Sequence, residues 1–228
     1  MSKENVMNRI RKPQKMTELM GLMEPYRYLL CVDLEATCNE IPEGLSDEEA
    51  RSYPGAVPVD EMETIEVGAV VVDTWNQDSV VAEFCSFVKP VLHPQLTPFC
   101  VNLTTITQSD VDQAEDYCSV SKALEGFLEP FRADGIMWGS WGSYDLKQLE
   151  QDAARHRCKA MLSDLEHTNL KKWHWKALNC RAMGLKNAVL DLGLDWVGTY
   201  HRGIDDARNV ASVVRKLRSE YLALQAEK

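Results

Sequence analysis

The sequence predicts an α/β protein in which one mixed sheet is covered by helices. An apolar run with strand-like composition stands near the start of the chain, over 28–32. Two further strand-like runs follow as a pair, over 64–73 and 80–88, and a hairpin with the first strand is expected. Strand-like and helical patterns alternate after that point. This order is typical of a single mixed sheet.

The composition is that of an ordinary globular protein of one large domain. The chain has 228 residues, of which 45% are hydrophobic and 26% charged. No apolar run reaches the length of a membrane span, and no signal-peptide core begins the sequence, so no membrane association is expected. The net charge of −10 disfavours broad electrostatic binding of nucleic acid, although an enzyme that grips a few nucleotides remains compatible with it.

The cysteines indicate a reducing environment. There are seven, they are scattered, and none forms a Cys-x-x-Cys pair. This argues against a disulfide framework and against a cysteine zinc site. We therefore expect a cytoplasmic or other reducing intracellular location.

Residues 1–24 are interpreted as an N-terminal extension packed on a domain that spans 25–228. The extension is polar and methionine-rich with a basic lead, and a transit peptide is the alternative interpretation. A short helix is predicted from Thr17 to Met23, because Glu24-Pro25 ends the helical pattern.

Residues 39–63 separate the first two strands and are rich in proline, glycine and acids. Ser46 and Glu49 have the spacing of a capping box for one helical turn. A solvated acidic stretch is the preferred interpretation, and a rim or lid over a site at the end of the first strand is the alternative.

The later elements follow from amphipathic periodicity. Trp173 and Trp175, in a basic stretch over 171–183, are interpreted as packing residues. Prolines interrupt a loop that carries Phe99. The remaining predicted elements are helices over 107–114, 119–131, 145–157, 186–194 and 205–224, and a strand over 136–140.

Two carboxylates stand at the end of the first strand. Because side chains alternate along a strand, Asp33 and Glu35 share one face while Leu34 points into the core on the other. Two such acids are costly unless a cation compensates them, and a divalent metal would do so. Taken alone, however, the pair is better explained as two surface acids.

Three later residues change that preference. Asp145 opens a helix directly after the strand over 136–140, and Asp206 follows His201 by five residues at the start of the last helix. Individually, an aspartate at a helix start is explained as a cap or a partner of the helix dipole. Together with the first strand, they supply further carboxylates and one base.

In this order the five residues resemble the DEDDh family of 3′→5′ exonucleases. The motifs are Asp-x-Glu (Asp33, Glu35), a later Asp145, and His-x4-Asp (His201, Asp206). The resemblance covers about residues 26 to 220 and implies a ribonuclease H-like fold. It is closest to the ERI-like exoribonuclease branch in three segments: 32–38, 99–108 and 201–209.

The resemblance implies a two-metal mechanism at RNA 3′ ends that releases nucleoside 5′-monophosphates. Carboxylates suit Mg²⁺ or Mn²⁺, and two such ions can clamp the attacking and leaving oxygens of a phosphoryl displacement. Asp33 is expected to bridge both ions. Glu35 and Asp206 would complete one site and Asp145 would assist the other. His201 would take the proton of the attacking water.

Substrate contacts are also implied by the family. Ala36 and Thr37 match positions that approach the terminal ribose, and Phe99 and Tyr144 match aromatics that sandwich the terminal base. Packing in the core explains Phe99 equally well, and Tyr144 stands where relatives often have tryptophan. The expected partners are RNA 3′ ends, single-stranded or overhanging, with DNA as a further candidate. Basic residues between 155 and 186 are a candidate backbone track, with a solvated face as the alternative.

Two departures from the family pattern affect the expected substrate range more than catalysis. Thr105 replaces a common glycine, and the 39–63 stretch is longer than usual. Two other functions stay open at this point: a DNA 3′→5′ exonuclease of the same fold, and a nucleic-acid-binding relative without catalysis. The complete set of five residues argues against the second.

Overall fold

The computed structural model describes residues 9–226. The first eight residues of the predicted N-terminal extension lie outside this range. The elements in chain order are α1 (Pro13–Met23), β1 (Tyr28–Ala36), α2 (Asp47–Ser52), β2 (Thr64–Asp73), β3 (Ser79–Phe87), α3 (Pro98–Thr104), α4 (Gln108–Asp112), α5 (Tyr117–Arg132), β4 (Ile136–Ser140), α6 (Tyr144–His156), β5 (His167–Asn169), α7 (Leu170–Leu178), α8 (Leu185–Asp191) and α9 (Gly203–Ala226).

The five strands of the described region form one mixed sheet in the order β3-β2-β1-β4-β5. The first three strands pair antiparallel, whereas β4 and β5 extend the sheet parallel to β1. This confirms the predicted mixed sheet and the hairpin. Because β1 is central and parallel to β4, the carboxyl ends of both strands meet at one edge of the sheet, where βα connections bring side chains together.

Strand alternation divides the core between the two faces of the sheet. Leu29 and Cys31 of β1 pack with α1, α7, α8 and α9 on one face. Leu30, Val32 and Leu34 pack with α5 and α6 on the other. Leu34 is 6% exposed and is a core residue, as predicted. Asp33 and Glu35 continue the α9 face at the end of the strand.

Three elements were not predicted. β5 is three residues long, too short for a period to show. Helix α7 contains the buried Trp173, whose indole N–H donates to Thr168 Oγ1 at 2.9 Å, which confirms the packing role predicted for that residue. Helix α3 had a readable signal, because Thr97 caps it by accepting from the Cys100 N–H and Pro98 follows at its first position.

Helix α1 packs against the domain and is longer than predicted. Met16, Leu19 and Met23 are buried in the same core cluster as α7 and α9, and the Arg11 and Lys12 amides both donate to the Ala177 carbonyl at 2.9 Å. The division into an extension over 1–24 and a domain over 25–228 remains a proposal. None of the helices within residues 9–226 has the length and apolar character needed to cross a bilayer.

The stretch over 39–63 is exposed in its middle and packed at its end. The Ser46–Glu49 capping box is present at the start of α2, as the spacing predicts. Near the end of the stretch, Gln148 Nε2 and Gln151 Nε2 of α6 donate to the Met62 carbonyl at 2.8 and 2.9 Å. The end of this stretch therefore lies against α6.

An ion pair at the base of the sheet gives a test of acid sensitivity. Arg27, just before β1, donates from Nε and Nη2 to the buried Asp73 carboxylate at 2.8–3.2 Å, and this contact lowers the pKa of Asp73. A carboxyl with a lowered pKa adds stability above its unfolded pKa and loses that contribution as pH falls through its folded pKa. Asp73→Asn should therefore lower the free energy of unfolding by about 1–2 kcal/mol at pH 7. The loss is no larger because Arg27 is partly exposed and solvent screens its charge.

The measurement is urea unfolding of both proteins at pH 7 and pH 3, where their difference in unfolding free energy should narrow. Asp134→Asn is the matched control, because Asp134 pairs with the same Arg27 at 2.8 Å but is half exposed. A smaller loss is expected for it. An equal loss in both variants, unchanged by pH, would contradict the assignment.

Candidate active site

The end of β1 presents two carboxylates toward the start of α9. In the β1–β2 pairing, Asp33 lies opposite Gly68 and Glu35 lies opposite Glu66. Glu35 is buried, whereas Asp33 is half-buried. Glycine opposite Asp33 has a steric reason, because a Cβ on Gly68 would overlap the backbone of Gly203. The helix therefore approaches the sheet closely beside the acids.

The start of α9 supplies Asp206 and the loop before it supplies His201. Asp206 lies in the first turn, where its amide donates to the Arg202 carbonyl at 2.8 Å. His201 Nδ1 is 4.0 Å from Glu35 Oε1. Potential ligand atoms of Glu35, His201 and Asp206 all lie within 4.8 Å of one another.

Asp145 reaches the site from the opposite face of the sheet. It occupies the first turn of α6, and its Oδ1 accepts from the Leu34 amide at 3.3 Å. After burial, the negative charge of Asp145 is the next largest cause of the raised pKa of Asp33. The five residues of the predicted DEDDh set thus meet at one edge of the sheet. Their individual catalytic roles stay predictions.

The carboxylates of the site repel one another and are poorly solvated. Burial, followed by the charges of Asp145, Asp206 and Glu35, raises the pKa of Asp33 well above its usual range. Burial likewise raises the pKa of Glu35 to about 9 and that of Asp206 to about 7. A cation would reverse these shifts, because it favours the charged form of each acid.

His201 has the opposite shift. Burial and the positive charge of Lys186 lower the pKa of its imidazole, and both effects favour the neutral ring. The Tyr200 ring lies 4.0 Å from the His201 ring, and Lys186 Nζ lies 5.1 Å from the Tyr200 ring. A neutral imidazole is the form that can accept a proton.

The donor set fits a divalent metal. Asp206 Oδ1 is buried and has no hydrogen-bond partner among the described residues, a costly state that a metal ion would relieve. Beside the imidazole nitrogen of His201, the other donors are hard carboxylate oxygens, which Mg²⁺ and Mn²⁺ prefer. Asp33, Glu35, Asp145 and Asp206 are the residues that can hold such ions.

Among the predicted substrate residues, Ala36 and Thr37 follow Glu35 in the chain, and Tyr144 precedes Asp145. Ala36 and Thr37 are buried, and Thr37 Oγ1 accepts from the Glu63 amide at 2.9 Å. Tyr144 is 42% exposed, and its hydroxyl donates to Gln148 Oε1 at 3.1 Å. Phe99 is half-buried on α3. Their contacts with substrate remain predictions.

Thr105 follows α3 in the left-handed region, with φ of 61°. Glycine adopts this conformation without strain, whereas a β-branched residue does not. The loop therefore has a glycine-like backbone conformation at this position despite the substitution.

Glu66 was missed by the sequence reasoning. It is fully buried in β2 next to the site, and its carboxylate binds Arg202 and the Gly203 amide. A signal was present, because an acid interrupts the otherwise apolar Ile65–Val72 run of a strand. The sequence places Lys186 in a series of basic residues but does not predict that it lies near His201.

Comparison with known proteins agrees with this geometry. The profile of the family described as "Exonuclease" (RNase_T) matches residues 30–214. ERI1 exoribonuclease 3 of Mus musculus is 31% identical over 205 residues, which cover 84% of this chain and 54% of the relative. The 3'-5' exonuclease eri1 of Schizosaccharomyces pombe is 27% identical, with 89% and 71% covered. The chain spans about half the length of the mammalian ERI1 exoribonuclease 3 relatives it matches.

A solved structure shows the same fold. The nuclease domain of 3'hExo, described as a DEDDh family member bound to rAMP, superposes with a TM-score of 0.73 at 26% identity. The match covers 86% of this chain and 94% of that domain. This confirms the predicted ribonuclease H-like architecture, and exonucleases of this type depend on divalent metal. The chain therefore belongs to the exonuclease family, in its DEDDh group and with the ERI1-like enzymes as relatives.

Proposed function

We propose that this protein is a metal-dependent 3′→5′ exoribonuclease that releases nucleoside 5′-monophosphates from RNA 3′ ends. The observation that carries the proposal is the convergence of four carboxylates and one neutral histidine at the end of β1. The relatives named as exoribonucleases support RNA as the substrate. An rAMP ligand in the similar nuclease domain supports an adenine nucleotide-sized product site.

Asp33, Glu35, Asp145 and Asp206 would hold two Mg²⁺ or Mn²⁺ ions. Bound metal of this kind stabilises the charge that develops on the phosphate and lowers the pKa of bound water. His201 Nδ1 lies 4.0 Å from Glu35 Oε1, and the imidazole would take the proton of the attacking water. Its lowered pKa keeps it ready to do so at neutral pH.

The chain's aromatic and backbone groups would position the 3′-terminal nucleotide. Tyr144 offers an exposed ring beside Asp145 and Phe99 a half-buried one on α3. Stacking on one aromatic contributes about 1–3 kcal/mol per base and tolerates any base. Ala36 and Thr37 would approach the ribose.

All seven cysteines are free, which is consistent with a reducing intracellular compartment.

A digestion assay tests this function. Matched RNA and DNA duplexes with 3′ overhangs, labelled at the 5′ end, are incubated with Mg²⁺ or Mn²⁺, and EDTA is added to a parallel sample. We expect a ladder that shortens from the RNA 3′ end, and no product with EDTA or with Asp33→Ala. Faster digestion of the DNA duplex than of the RNA duplex would instead indicate a DNA 3′→5′ exonuclease. Binding without cleavage would leave a binding protein.

A further inference from the structure

Glu66 lies beside the catalytic cluster but is not free to join it. Its Oε1 accepts from Arg202 Nη2 at 3.1 Å and from Cys85 Sγ at 3.3 Å. Its Oε2 accepts from Arg202 Nε at 3.0 Å and from the Gly203 amide at 2.9 Å. Both oxygens are therefore occupied, in a bidentate pair with the guanidinium and a charged bond to a backbone N–H.

The donors to Glu66 directly follow His201 in the chain. Arg202 is the next residue, and Gly203 is the first residue of α9. The Glu66 carboxylate thus satisfies an amide at the helix start, the place where a negative charge is also favoured by the helix dipole. A side chain from the sheet does what an N-cap residue does in most helices.

The backbone at His201 needs such a restraint. His201 has φ of 62°, in the left-handed region that is uncommon for residues other than glycine. Such conformations persist only where neighbouring contacts enforce them, and they cluster at functional sites. The hydrogen bonds from Arg202 and Gly203 to Glu66 restrain the backbone directly after His201. The close approach of Gly203 to Gly68 restrains the same segment against β2.

Other contacts hold Asp206 in place. The buried side chains of α9, among them Ala207, Val210 and Val214, pack against the sheet and fix the helix axis. Glu66 is consequently needed for the loop that carries His201 more than for the helix that carries Asp206. Loss of Glu66 should therefore displace His201, the proposed general base, and leave the metal ligand Asp206 in place.

We propose that Glu66 is a positioning residue that acts through Arg202 and Gly203 to hold the His201 imidazole against Glu35. The proposal rests on the function proposed above. Glu66 contacts neither substrate nor reacting atoms. Misplacement of a reacting group by about 1 Å can cost about 10²-fold in rate, so its loss should lower kcat rather than raise KM.

Glu66→Gln tests this directly, because it keeps the size of the side chain and removes the charge and one acceptor. Arg202→Lys is the second variant, since it keeps the charge but loses the bidentate geometry, and its partly exposed side chain makes it the safer one to fold. Glu83→Gln is the matched control. Glu83 lies on the adjacent β3 and pairs with Arg208 of α9, and neither residue contacts Glu66 or Arg202 in the hydrogen bonds and ion pairs of the described region.

Digestion of the RNA 3′ overhang is measured under single-turnover and steady-state conditions. The affinity for Mn²⁺ is measured separately by calorimetry. We expect kcat to fall about 10–100-fold in Glu66→Gln and about 10-fold in Arg202→Lys, with KM and Mn²⁺ affinity within about twofold of wild type. The double variant should lose no more than Glu66→Gln, because the two residues act as one unit. Glu83→Gln should match wild type.

Activity of Glu66→Gln and Arg202→Lys equal to that of Glu83→Gln would overturn the inference while leaving the function intact. A loss of Mn²⁺ affinity in step with kcat, or additive losses in the double variant, would also overturn it. If Glu66→Gln does not fold, kcat of Arg202→Lys against Glu83→Gln decides. Inactive wild type and Glu83→Gln would instead refute the proposed function.

Discussion

His201→Ala is expected to slow hydrolysis of RNA 3′ ends by about 10²–10⁴-fold, the range that a general base contributes. The structure places His201 Nδ1 4.0 Å from Glu35 Oε1 and lowers its pKa, so removal takes away the one neutral imidazole at the cluster. Binding of Mn²⁺ should persist because the four carboxylates remain. Steady-state kinetics and calorimetry measure the two effects separately.

His156→Ala is the control for this substitution. His156 ends α6, at the opposite end from Asp145, and its ring stacks on Tyr117 with centroids 5.3 Å apart. Its loss should change activity less than twofold once folding has been verified by circular dichroism. Comparable activity of His201→Ala and wild type would exclude His201 as the base.

Asp33→Asn is expected to have opposite effects on activity and on the stability of the metal-free protein. Activity should fall by about 10³-fold or more, because a lost metal ligand removes several kcal/mol of transition-state stabilisation. Stability in EDTA should rise, because the substitution removes a half-buried carboxyl group that Asp145, Asp206 and Glu35 repel. Thermal melting in EDTA should shift upward by about 2–4 °C for each ~1 kcal/mol gained in a chain of this size.

The pH dependence of the metal-free protein follows from the same shifts. The pKa values of Glu35, about 9, and Asp206, about 7, lie above those of the unfolded chain. The folded state therefore binds more protons between about pH 4 and pH 9, so stability falls as pH rises through that window. Asp33→Asn should flatten this slope.

Added Mg²⁺ provides the complementary measurement. Ions that bind only the folded state stabilise it, so the melting temperature of wild type should rise with Mg²⁺ while that of Asp33→Asn rises less. Asp195→Asn, at an exposed aspartate, is the control and should behave as wild type in both conditions. A destabilised Asp33→Asn in EDTA would show that Asp33 is not held in a repulsive cluster.

Much of the fold could be predicted because strong local patterns govern it. The continuous apolar run of β1 and the apolar stripe of α9 are buried over most of their length, and such burial is the main stabilising term. The three residues of β5 are too few to show a period, whereas α3 was not predicted although Thr97 and Pro98 mark its start. The boundaries of α1 and α9 were underestimated by two to four residues at one or both ends, where caps and packing decide the ends of helices.

The sequence by itself was enough to predict the candidate site of this protein. The resemblance of three ordered motifs to the DEDDh family predicts five site residues: Asp33, Glu35, Asp145, His201 and Asp206. Only the tertiary structure decided what surrounds them. The pairing of Glu35 with Glu66 depends on strand register, and the bond from Glu66 to Arg202 joins residues 136 positions apart. Such contacts follow from packing of the whole chain, so no local pattern could reveal them.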